Sequence, residues 1–168
     1  MNDLRQARQD AELGFLQQSL SESDVQSHII ERSDAIPITV LLVPLMKDHR
    51  QRDRYLNISY VPLDDEDLDE IDLLQLYVTV PVEWSDGTNE HVEKLLNAVN
   101  GKLAIGHFQL TGAEVSYRYV HCTSSSERLP LSEAVAIIRL FELMLNLFSS
   151  KIDDVASGKA SLSDSLDD

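Results

Sequence analysis

Apolar positions recur at helical spacing in three stretches of the chain. Leu4, Ala7, Ala11 and Phe15 fall three and four apart, and Leu13, Leu16 and Leu20 widen the stripe, which predicts an amphipathic helix over Leu4 to Leu20. Gly14 weakens that helix, and the polar run from Ser21 to Asp24 ends it. Val92, Leu95, Leu96 and Val99 fall at i, i+3, i+4 and i+7, which predicts a helix from Asn89 to Asn100. Ser85 to Thr88 supply a turn with helix-capping residues, and Gly101 stands where a left-handed C-cap belongs. A third, longer helix is expected from Leu131 to about Ile152.

Between these helices the period changes to two. Val25 to Ile30 reads as a short strand, and Ile38 to Leu45 as a β-branched strand inside a sheet, with Pro44 marking an end, an edge or a bulge. Tyr55 to Val61 alternates, with Leu56, Ile58 and Tyr60 on one face and Asn57 and Ser59 on the other. Leu74, Leu76, Val78 and Val80 make one face of a further strand, closed by Pro81. Ala104 to Leu110 and Ala113 to Cys122 read as a hairpin about Thr111-Gly112. That turn pairs Leu110 with Ala113, Phe108 with Val115 and Gly106 with Tyr117.

The order is a helix, three or four strands, a helix, two strands and a helix, written α-βββ-α-ββ-α. Strands and helices do not alternate strictly, so the expected class is α+β, with a mainly antiparallel sheet flanked by helices. The expected layout is one domain over residues 1–156 and a mobile Ser/Asp-rich tail over 157–168. No internal repeat is visible.

Charge narrows the function. Asp and Glu number 29 against 14 Lys and Arg, a net charge of −15. Such a balance argues against nucleic acid as a partner and against docking on an anionic membrane. The N-terminus has no apolar signal core, and no apolar run approaches the roughly 18 to 20 residues a membrane span needs. A cytoplasmic location follows by elimination. The single Cys122 rules out an internal disulfide and reads as a small buried hydrophobe.

Catalytic and metal patterns do not emerge. An EF-hand loop begun at Asp65 would have acids at its first, third and fifth positions. It would then meet Glu70 where glycine is needed and Leu76 where glutamate is needed, so the acidic run from Asp64 to Asp72 reads as a solvated loop. His28, His49, His91, His107 and His121 have no metal-ligand spacing. No nucleophile elbow or phosphate-cradling glycine loop occurs. The chain is therefore read as not an enzyme, with no cofactor and no metal.

The last helix carries more apolar surface than one sheet requires. Ala134, Ile138, Phe141, Leu145 and Phe148 form one face. Leu140, Leu143, Met144 and Leu147 form a second, about a quarter turn or more away. The second face is expected to be an interface, with another subunit or with a partner. The alternative is that the N-terminal helix covers it.

The segments Leu95-Leu96-Asn97-Ala98-Val99-Asn100, Gly106-His107-Phe108-Gln109-Leu110 and Val115-Ser116-Tyr117-Arg118-Tyr119 carry a resemblance. A helix ending in Asn, then a short Gly-x-Phe strand and its hairpin partner, resembles the centre of the YbjN-like group, including its cyanobacterial members, within the type III secretion chaperone-like fold. The resemblance covers about residues 4 to 152. It implies a small, acidic, non-catalytic protein, often a homodimer, whose grooves hold an extended polypeptide. The function expected is thus a protein-interaction module that takes a protein or peptide partner through an apolar groove or sheet edge. The alternative is a small-molecule or ion sensor with a pocket between sheet and terminal helices.

Overall fold

The computed structural model describes residues 3–63 and 70–167. The stretch 64–69, on which the calcium question turns, lies outside the described residues. The elements are α1 (Asp3–Glu22), β1 (His28–Ile30), β2 (Val40–Leu45), β3 (Arg54–Tyr60), β4 (Ile71–Val80), α2 (Asn89–Asn100), β5 (His107–Thr111), β6 (Glu114–Ser124), α3 (Leu131–Ala156) and α4 (Leu162–Asp167). The six strands form one antiparallel sheet in the order β1-β2-β3-β4-β6-β5, flanked by helices. The class is α+β, as the pattern predicted, and four strands separate the first two helices. The stretch expected to be a tail carries α4, which packs beside α2.

The chain groups into two compact units, each gathered from three stretches. The first comprises Met1–Pro44, Tyr55–Leu76 and Val120–Arg139. Its buried apolar side chains include Leu41, Val43, Leu56, Ile58 and Leu74 from strands and Leu13 and Leu20 from α1. The buried stripe of α1 keeps only one edge of what the apolar spacing selects. Leu4 and Phe15 are exposed, and the stripe runs through Gln9, Leu13 and Leu20. The reason is polar. Asp72, on the inward face of β4, is buried and accepts from Arg5 Nε at 3.1 Å, Arg8 Nη2 at 2.5 Å and Gln9 Nε2 at 2.7 Å. A carboxylate taken out of water must be paired, and these bonds set the rotation of α1. Ser59, assigned to the wetter face of β3, is also buried.

The second unit comprises Leu45–Arg54, Tyr77–Tyr119 and Leu140–Asp168. Its aromatic centre is Tyr117, whose ring stacks on Phe108 at 4.5 Å and lies 4.5 Å from Phe141. The hairpin register differs from the expected one by two residues. Phe108 lies opposite Tyr117 and Leu110 opposite Val115, because the turn is Gly112-Ala113. Gly112 has φ +62°, and the first central position of a II′ hairpin turn favours glycine for that reason. A shift of two leaves every side chain on its face, so the large residues still share one side. Gly106 (φ +70°) is not opposite Tyr117, yet a Cβ there would lie 2.9 Å from the Tyr117 hydroxyl and 2.8 Å from the Arg118 carbonyl oxygen. The close approach expected between that glycine and that ring is present, reached from a neighbouring pair. Gly101 ends α2 in the right-handed region (φ −72°), not the left-handed one, and the Lys102 N–H bonds the Val99 carbonyl at 2.8 Å in a tight last turn.

Candidate functional site

In the first unit a groove of about 320 Å³ lies along α1. Leu13, Phe15 and Leu16 line it from the helix, Leu74 from β4, and Leu129, Pro130 and Leu131 from the segment that enters α3. Phe15 remains 42% exposed and Leu131 37% exposed. Helical geometry explains the opening. The bonds to Asp72 turn Gln9 and Leu13 inward, which leaves Phe15, about 200° further round than Leu13, at the surface. The Arg128 guanidinium lies 3.8 Å over the Phe15 ring and donates to Glu12 Oε1 at 3.3 Å.

A second, polar cavity of about 350 Å³ shares Glu12, Tyr60, Arg128 and Leu129 with the groove. Arg8, Asp72 and the 123–127 segment complete its lining. Burial pushes the Tyr60 phenol up to about 12, and the negative charges of Glu12 and Asp72 add to the shift while Arg8 opposes it. Tyr60 therefore stays protonated and serves as a hydrogen-bonding group.

In the second unit the charged groups form a staple. Asp153 of α3 is fully buried. It accepts from Arg52 Nη2 and from the Glu83 backbone N–H, each at 2.8 Å. Arg50 Nε lies 2.7 Å from the same carboxylate and His49 Nε2 lies 3.4 Å from it. Asp48 accepts from the backbone N–H groups of Arg50 and Arg52, an Asx-type turn that holds Gln51 at φ +64°. Two guanidiniums and a backbone donor converge on Asp153, so this cluster is a structural tie between the β2–β3 loop and the end of α3.

The interface residues expected on α3 part company. Leu143 and Leu147 are 51% and 52% exposed and Leu140 is 36% exposed. Met144 is a correction: it is 8% exposed and buried within the chain. At about 100° per residue Met144 sits nearest the arc of Phe148 and Phe141, whereas Leu143 and Leu147 lie on the far side. Cys122 is a second correction. It is exposed, on the outward face of its strand, not buried.

The groove residues were partly legible. Leu13, Leu16 and Phe15 lie in the predicted helix, but nothing local marked Tyr60, Arg128 and Leu131 as their neighbours. Asp72, read as the end of the solvated acidic run, is instead buried in β4; its signal was that it extends the alternation of Leu74, Leu76 and Val78 by one inward position.

One sheet edge is partly occupied. On β5 the Asn100 side chain accepts from Phe108 N–H at 2.7 Å and donates to the Phe108 carbonyl at 3.0 Å. The outward main-chain groups of that residue are thus already used. No group of His, Cys, Asp and Glu among the described residues could hold a metal ion, and no helix there is long and apolar enough to cross a membrane. Compared with known protein families and with curated proteins, the chain matches no family model and no curated sequence.

Proposed function

We propose that the chain is a non-catalytic polypeptide-binding module that docks an apolar partner segment in the groove along α1. The observation that carries this reading is the open apolar groove with Phe15 and Leu131 left at the surface. A monomeric fold gains by covering such side chains, each worth roughly 1.5 to 3 kcal/mol when fully buried. Of the two docking modes the sequence suggested, the groove is favoured over the β5 edge, because Asn100 occupies the ladder groups of Phe108. Partners of basic character suit the net charge of −15. A cytoplasmic location and the YbjN-like affiliation belong to the same proposal, on their sequence grounds alone.

Panning a displayed library of random peptides of about a dozen residues against the whole chain tests the reading. The expected binders carry apolar anchors and lose most of their affinity for a Phe15→Asp/Leu131→Asp variant whose circular dichroism and melting match wild type. Binders indifferent to that variant, or no binders at all, would overturn the groove.

A further inference from the structure

We infer that Arg128 is a strap across the groove, and that a docking segment gains the Phe15 ring only by displacing it. This inference rests on the groove reading.

One wall of the groove is α1 and the other is the segment between β6 and α3. The second wall is pinned on both sides of Arg128. The Ser125 N–H donates to the Glu70 carbonyl at 2.9 Å, and the Ser125 carbonyl accepts from Arg8. The Pro130 carbonyl accepts from the Glu133 and Ala134 N–H groups, each at 3.0 Å. From between these pins the Arg128 side chain reaches over to α1. Its Nε lies 3.3 Å from Glu12 Oε1, and its guanidinium carbon lies 3.8 Å above the centre of the Phe15 ring. Glu12 and Phe15 are three residues apart and so are neighbours on the helix surface. At 3.8 Å the guanidinium and the ring are in van der Waals contact, so no ligand atom fits between them.

The Arg128 side chain is 59% exposed, and it leaves the ring without opening the core. An apolar segment seated over Phe15 with Arg128 in place would take the guanidinium out of water with one carboxylate to match its five N–H donors. Swinging outward keeps the cation hydrated and hands the ring face to the ligand. Arg128 and the ligand thus compete for one surface, and the apparent affinity is scaled by the fraction of molecules in which the strap is open. The contacts holding it are a surface cation–π stack and an exposed ion pair, so the closed form outweighs the open one by only about three- to tenfold.

The experiment pans a peptide library free of charged residues against the whole chain and keeps the peptides that depend on Phe15 and Leu131. On- and off-rates are measured on wild type, Arg128→Ala and Glu12→Gln, with circular dichroism and melting as the check on folding. Arg128→Ala should bind about three- to tenfold tighter. Side-chain opening is fast compared with docking, so the gain should lie in the on-rate, with the off-rate unchanged. Glu12→Gln leaves Arg128 in place and loosens only its anchor. It should raise the on-rate by about twofold, and it reads the same strap where Arg128→Ala disturbs the fold. Affinity of Arg128→Ala equal to or below wild type, or a gain confined to the off-rate, rejects the strap and leaves the groove standing. Absence of any Phe15-dependent peptide rejects both.

Discussion

Asp48, Asp72 and Asp153 are buried carboxylates in an acidic chain, and each is matched by arginine. A buried charge that loses its partner costs several kcal/mol, so such pairs act as positional pins more than as a source of net stability. Asp72 sets the rotation of α1, and Asp153 ties the β2–β3 loop to α3. Asp48 makes a pH prediction. Burial works to raise its carboxyl, but bonds from Arg52 and from the Arg50 N–H outweigh it and hold the group below its usual 3.8. The folded state therefore binds this proton less readily than the unfolded chain. Its contribution is fully present above the unfolded value and is lost as pH falls through the lower folded value. Wild type should lose unfolding free energy more steeply than Asp48→Asn between about pH 4 and pH 2. Equal slopes in urea titrations across that range would show that Asp48 is not the group responsible.

At the scale of elements, α2 and α3 show how far periodicity reaches. The start and end of α2 agree with its apolar spacing, because all four spaced residues, Val92, Leu95, Leu96 and Val99, point into the core. In α1 the same reasoning found Leu13 and Leu20 but centred the stripe on the exposed Leu4 and Phe15, because apolar counting assigns no weight to Gln9 and Arg5, whose buried partner lies more than sixty residues away. In the β5–β6 hairpin, face assignment held while the register moved by two, since alternation is blind to even shifts. The two faces of α3 give a paired prediction. Phe141 is fully buried against Tyr117, so Phe141→Ala should cost about 3 to 5 kcal/mol in denaturant unfolding. Leu143 is half exposed, so Leu143→Glu should stay within about 0.5 kcal/mol of wild type. If this face joins two copies, light scattering at tens of micromolar should show a wild-type dimer and a folded Leu143→Glu monomer. A monomeric wild type would remove self-association through α3.

For the molecule as a whole, charge is the property read most directly from the chain. With a net −15, phosphate-rich polymers should be repelled most strongly at low ionic strength, where screening is weakest. Gel shifts with duplex DNA at low salt should show free probe at micromolar protein, and a salt-sensitive complex there would contradict the reading. The α+β class, the element order and most strand faces were determined by the sequence alone, because hydrophobic period is a local signal carried by consecutive side chains. The sheet order β1-β2-β3-β4-β6-β5, the gathering of each unit from three stretches of chain and the groove along α1 were decided only by the tertiary structure. Each depends on pairings between residues distant in the chain, such as Arg8 with Asp72 or Arg128 with Phe15. Such pairings are selected by the energy of burying charge and apolar surface together, and no local window of sequence contains both partners.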